Sequence, residues 1–388
     1  MKNLIKAISG ISLITSLALS KDIDYYSQLR AGYITLDNKE NSDFDTEAFA
    51  IGGRIGVKTD ITSNFSFNAE LYTVQDLGVQ NDDLNKVNGD FFDKNLEGFS
   101  LLTQAYVSMK FENTEIKIGR QSIDTPHADS DDIRMMPNYF SGYFLTNGSI
   151  ENLTLMLGLI DKMAGWENEV DPSKFVNVEK SLGAQEKTDG IYLISALYEE
   201  ETFSIGSWYY DIDEIADVLY LEASYTLKTS FADITASLQY DRAKERGKKV
   251  LGEIDSGTFG IDLETAFKEN FSLNIAYNKE TQDKSFGSLG GGAFFTSMED
   301  QTIDAIENKG ESWTVGISKE LDKISLETIY GEFKAEDKNL YNTSELDIIA
   351  NYSPTDKFSL TVAYAVIDDK TENNEDYSQL RIIGNYNF

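Results

Sequence analysis

Along most of the chain, apolar and polar residues alternate at every second position, over runs of about ten residues. In 65–73, Phe65, Phe67, Ala69 and Leu71 share one face, and Ser66, Asn68, Glu70 and Tyr72 the other. In 101–111, Leu101, Ala105, Val107, Met109 and Phe111 oppose Gln104, Tyr106, Ser108 and Lys110. The runs 259–267, 271–277 and 358–366 repeat the pattern, for example with Phe358, Leu360, Val362, Tyr364 and Val366 against Ser359 and Thr361. Period two is that of a strand with two unlike faces. About ten residues is the length a tilted strand needs to cross a bilayer. Helical period fits none of these runs.

The connections alternate as well. Short turns are expected near 60–63, 112–114, 148–150, 199–201, 227–229, 268–270, 320–322 and 353–356. Longer polar stretches are expected near 37–46, 77–97, 121–138, 163–188, 243–256, 280–309 and 368–376, with shorter ones of the same class near 211–216 and 335–340. Short turns at one rim and long loops at the other define a bacterial outer-membrane barrel. The sequence therefore predicts an all-β fold: a transmembrane antiparallel β-barrel of about eighteen strands, with both termini on the periplasmic side. A soluble sandwich or propeller also alternates, but its strands are shorter and its loops do not alternate in length.

Composition sharpens this picture at few points. Lys2 and Lys6 precede an apolar stretch and Ala18-Leu19-Ser20, so residues 1–20 read as a signal peptide and 21–388 as the mature barrel. The net charge of -32 excludes nucleic acid as a partner. The absence of cysteine excludes disulfides and thiol chemistry. The single histidine, His127, has no triad pattern around it and reads as a loop residue, and no enzyme is expected. Gly290, Gly291 and Gly292 lack the context of a phosphate loop and read as a flexible stretch of an outer loop. Asp129, Asp131 and Asp132 do not have the spacing of a calcium loop, so a structural role is preferred. No cofactor or fixed metal is expected. Loose divalent binding at acidic outer loops, through Asp82, Asp83, Glu299 and Asp300, is weighed against a simple solvated surface, which is preferred.

Strand parity sorts the charges. Arg30, Arg54, Lys58, Lys110, Lys117 and Arg381 fall on the lumen face of strands one, two, four, five and eighteen, which share one wall once the barrel closes. Glu222, Asp233, Asp262, Glu264, Glu327 and Asp347 fall on the lumen face of the opposite wall. Opposed charged walls produce a transverse field that orients dipolar solutes.

One stretch resembles a known family. Residues 116–145, IKIGRQSIDTPHADSDDIRMMPNYFSGYFL, are similar to the third-loop region of the OprD-type substrate-specific porins. The resemblance rests on Gly119, Arg120 and Gln121, on Asp124, Thr125 and Pro126, and on Ser130 to Met135 with Pro137, Asn138, Phe140 and Gly142. The C-terminal strand, ending in Phe388, resembles the signal read by the barrel assembly machinery.

The resemblance implies an eighteen-stranded barrel in outer-membrane lipid and lipopolysaccharide, with its third loop folded into the lumen. It also implies a row of arginines that guides carboxylate-bearing solutes. Asp131, Asp132 and Arg134 would then form the constriction. The acidic lumen departs from that pattern. The expected function is passive diffusion of small hydrophilic solutes, with selection for carboxylates or zwitterions such as amino acids or short peptides. A nonselective, cation-preferring porin and a surface barrel whose loops bind a partner stay open, as does a homotrimer.

Overall fold

The structure is a computed structural model that describes residues 23–282, 286–372 and 375–388. The expected signal peptide lies outside the described residues. Among them, eighteen antiparallel strands form one closed sheet. In chain order they are β1 (Ile23–Asn38), β2 (Thr46–Thr62), β3 (Phe65–Gln75), β4 (Phe99–Phe111), β5 (Thr114–Gln121), β6 (Tyr139–Ile150), β7 (Leu153–Ala164), β8 (Ile191–Glu199) and β9 (Phe203–Ile212). The second half comprises β10 (Ala216–Lys228), β11 (Ala232–Glu245), β12 (Asp255–Phe267), β13 (Phe271–Glu280), β14 (Gly310–Leu321), β15 (Ile324–Ala335), β16 (Asn342–Thr355), β17 (Phe358–Asp369) and β18 (Tyr377–Asn387). Each strand pairs with its neighbour in sequence. β18 pairs with β1 from Gln28↔Asn387 to Asn38↔Tyr377, so no edge is left open.

At one rim the strands join through turns of two or three residues. Several of these turns place a residue in the left-handed region, such as Asn152 and Asn270, a conformation that asparagine tolerates better than most residues. At the other rim are the longer loops, L1 to L9 in chain order. Three matter below: L3 (residues 122–138), L4 (165–190) and L7 (281–309).

The outward face is apolar. Leu29, Ile55, Leu238, Ile261 and Ile275 stand 50–60 % exposed in a continuous band, where only a bilayer would keep them from water. Parity holds along most strands, with one informative slip. A bulge in β4 opposite Glu70 and Leu71 brings Leu101, not Leu102, across from Tyr72. Leu101 therefore packs inward rather than on the outer face expected for it, and Leu102 faces out. Thr103, at the bulge, is buried and donates from Oγ1 to the Glu70 carboxylate at 2.8 Å.

The lumen is partly filled. Three apolar clusters lie inside the barrel, each formed by inward strand residues and loop residues folded down onto them. Ile34, Tyr72 and Val74 pack with Phe91, Phe92, Met135 and Met136. Phe140, Ile160, Met163 and Tyr210 pack with Ala128 and Leu289. Phe333 packs with Phe294, Ile303 and Ile306. Gly32 of β1 makes room for the first cluster, since a Cβ there would lie 2.5 Å from Met135 Sδ.

Candidate constriction site

L3 leaves β5, makes a two-residue hairpin of Asp124–Thr125 against Ala128–Asp129, and returns to β6. It crosses the lumen and is fastened at both sides. At one end Arg30 of β1 holds it. The Arg30 guanidinium pairs with both Asp132 oxygens, Nη2 to Oδ2 at 2.7 Å, and donates from Nη1 to the Arg134 carbonyl at 2.8 Å. A planar fork on a carboxylate is the strong form of this contact. At the other end the His127 amide donates to the Tyr210 hydroxyl at 3.2 Å, and His127 Nε2 lies 2.7 Å from Asp241 Oδ2. The His127 ring is buried, with Tyr210, Tyr220 and Phe294 edge-on around it. His127 is thus a partnered anchor rather than the plain loop residue expected, and its partner lies 114 positions away.

Arg134 does not point to open pore. Its side chain is about 10 % exposed, its Nε sits 3.0 Å from Asp90 Oδ2, and its guanidinium stacks 4.5 Å from the Trp166 ring centre. Arg134 ties L3 to the loops on either side. Asp132 is taken up by Arg30. Asp131 is half-buried, and burial raises its carboxyl above the usual range while Arg134 and Arg381 pull it down. In L4, Glu167 accepts from Asn138 Nδ2 at 2.8 Å; burial, with Asp131 close by, pushes it up to about 7. Among the described residues, no group of three or more histidines and carboxylates is arranged to hold a metal ion.

L7 is the element the sequence did not reveal. It also folds inward and joins L3 through its backbone. Leu289 N donates to the His127 carbonyl at 2.9 Å, and Asp129 N to the Leu289 carbonyl at 3.3 Å. Gly290 is buried with a positive φ, and a Cβ there would lie 2.3 Å from the Asp129 carbonyl oxygen. It belongs to the packed L3–L7 junction, which corrects the reading of a free glycine stretch. Glu299 and Asp300 of L7 have partners within the protein. Glu299 pairs with Arg381, and Asp300 accepts from Tyr377. The Asp300 and Gln301 amides donate to Glu345 at 3.0 and 2.8 Å. Asp82 and Asp83 remain exposed in L2.

The charged strand residues that parity singled out differ in their surroundings. Arg30 and Arg381 are only 2 % and 5 % exposed in their side chains, covered by L3 and L7, so neither is presented to a passing solute as the row of arginines would require. Arg54 is 33 % exposed, 3.6 Å from Glu70. Glu70 is held in turn by Tyr139, Thr103 and Gln104. Lys110 and Lys117 both approach Glu115, at 3.6 and 3.9 Å. Lys58 is exposed below Arg54, nearer the turn rim.

On the other wall, Asp233 pairs with Lys268, and Asp347 is fully buried, accepting from the Glu299 amide at 3.1 Å. Glu222 is held by the Tyr220 hydroxyl at 2.7 Å and Asp262 by Asn274. Among the described residues, Glu222, Asp262, Glu264 and Glu327 lie in no ion pair. The cations of one wall are largely neutralised by adjacent carboxylates, while the acids of the other are largely not.

A closed antiparallel barrel with an apolar outer band and a lumen narrowed by inward loops defines a membrane channel of the porin class. The family model for outer membrane porins of the OprD family matches residues 80–388, and the chain belongs to that family. Its place is the bacterial outer membrane. OccK9 (OpdG) of Pseudomonas aeruginosa is 16 % identical, covering 95 % of this chain and 98 % of its own, with a TM-score of 0.81. A BenF-like porin from Pseudomonas fluorescens Pf-5 is 17 % identical, covering 96 % and 100 %, also at 0.81. Pseudomonas aeruginosa OpdK with vanillate is 16 % identical, covering 94 % and 98 %, at 0.78. No curated protein sequence matches the chain.

Proposed function

We propose that this porin admits small zwitterionic solutes of amino-acid or short-peptide size, with an underlying preference for cations. One observation carries the reading: the inward cations on β1, β4, β5 and β18 sit against carboxylates, whereas Glu222, Asp262, Glu264 and Glu327 have no cationic partner. Uncompensated charge sets the field a solute meets. The solute's ammonium end is drawn to that acidic wall. Its carboxylate end finds Arg54, the part-exposed guanidinium, and Lys58 below it. The structure of OpdK with vanillate, a carboxylate, is consistent with an acid-bearing solute in this fold. In this reading the leader is removed near Lys21 before the barrel assembles in the outer membrane.

Arg134 anchors L3 and does not select solutes. Planar-bilayer recording tests both statements. Wild-type protein should show cation preference at low salt that fades as salt rises, because screening shortens the field to about 8 Å at physiological ionic strength. Glycine should disturb the ion current more than a neutral sugar of similar size. Anion preference at low salt would overturn the reading. Arg134→Ala should loosen L3 and raise sugar and carboxylate passage alike; a loss confined to carboxylates would restore a selective role to that residue.

A further inference from the structure

On the acidic side of the lumen lies a recess of about 450 Å³ that the charge pattern alone does not explain. Trp208 of β9, Tyr220 and Glu222 of β10, Phe295 of L7, and Asp124 and Asp129 of L3 line it. The indole of Trp208 and the ring of Tyr220 stand nearly at right angles, 73°, with centres 5.6 Å apart. Asp124 and Asp129 face each other across the L3 hairpin, a pairing of like charges that is unfavourable unless something positive lies between or beside them. Neither is in an ion pair with a described residue. Burial, with Asp124 and Asp131 adding to it, pushes Asp129 up to about 6.

The position of the recess follows from strand direction. β9 rises from the short turn at 200–202, so Trp208 sits one inward step closer to the periplasmic rim than Tyr210, which fastens His127. The recess therefore opens below L3, on the side a solute reaches after the narrowest zone.

Aromatic walls with carboxylates beside them suit a particular kind of cation. A primary ammonium or a metal ion prefers dense oxygen ligands or water. A methylated ammonium has no N–H to donate and carries its charge over apolar surface; ring faces and nearby carboxylates stabilise it. We propose that this recess is a binding site for quaternary or otherwise alkylated ammonium groups, free or as the cationic end of a zwitterion. The proposal rests on the reading of the acidic wall given above and adds a chemical class to it.

Choline and its uncharged isostere 3,3-dimethylbutan-1-ol serve as probes in bilayer recordings of the full-length protein. Choline should block wild-type current at concentrations about tenfold lower than the isostere. It should act more readily when added on the periplasmic side. Trp208→Leu and Glu222→Gln should each raise the half-blocking concentration of choline several-fold. If Trp208→Leu does not insert, Phe295→Leu, on the loop side of the same recess, makes the same test. Equal block by choline and the isostere overturns the proposal, as does unchanged block in the substituted proteins. The wild-type salt-gradient reversal potential reports the acidic-wall reading separately: cation preference without choline selectivity rejects the recess alone, and anion preference rejects the broader reading.

Discussion

The two walls of the lumen carry opposite charge, yet their charges are used differently. On the basic wall, Arg30 and Arg381 are buried beneath loops and bound to Asp132 and Glu299. On the acidic wall, Glu222, Asp262, Glu264 and Glu327 remain as carboxylates with polar or aromatic neighbours and no cation. Covered cations fasten the inward loops, and in the proposed reading the uncovered anions set the field a solute meets. The sign of a residue is thus a weaker guide to its role in a pore than whether its charge is already satisfied.

Substitutions at the fastened wall should have the largest effects. Asp132→Ala leaves the buried Arg30 guanidinium without its carboxylate, a loss of roughly 3 kcal/mol in comparable pairs. Much of that should appear as undocking of L3. Single-channel conductance should rise clearly and L3 should become open to protease. An unchanged conductance with L3 still protected would show that the loop does not depend on this pair. His127→Ala should be next. It leaves Asp241 buried without its partner, at a cost of about 2 kcal/mol. Faster amide exchange at the L3–L7 junction would reveal it, and wild-type exchange there would reject His127 as an anchor.

At the open wall the effects should be smaller and purely electrical. A charge acting over ~8 Å of water is worth about 0.5 kcal/mol, or about a factor of two in relative permeability. Glu327→Gln should lower the cation-to-anion ratio by about that factor at low salt. Arg54→Gln should raise it, by exposing the Glu70 charge. If the two substitutions moved the reversal potential in the same direction, the contrast between the walls would fail.

The smallest effect concerns pH. Asp129, with Asp124 and Asp131 as its charged neighbours, titrates near 6. Its carboxyl is raised, so it binds a proton more readily in the folded protein than when unfolded. Its ionisation therefore opposes L3 docking as pH rises from the ordinary aspartate range through about 6. Lowering pH through that value should weaken choline block while leaving L3 docked. Asp129→Asn should remove this pH dependence, and its persistence would assign it to another group.

Much of this architecture was legible in the sequence, because a barrel writes its inside and outside into alternate positions. Strand parity also sorted the charged residues into two groups, which the structure then showed to differ in their partners. The slip at Leu101 arose because a bulge adds one residue and inverts the alternation beyond it, which composition does not mark. The inward fold of L3 was legible through its resemblance to the family motif. The fold of L7 was not, because its anchors, such as Glu299 on Arg381 and Leu289 on His127, depend on contacts between distant segments. For the same reason the pairing of each cation escaped the sequence. Parity tells which way a side chain points and says nothing of what a loop will lay across it.

The backbone junction of L3 and L7 also has a consequence for biogenesis. Ala128 is joined to Leu289 by a parallel bridge, although eight of the barrel's eighteen strands, β6 to β13, lie between them in the chain. Contacts of such long sequence separation form late, after the shorter-range strand pairings have closed most of the wall. The L3–L7 junction is therefore expected to mature after the strand hairpins beside it, and the β1–β18 seam, which joins residues still farther apart, later again. Until L7 packs against it, L3 would be held across the lumen by its own anchors, Arg30 and His127, alone. The complete constriction would exist only when L7 has joined it.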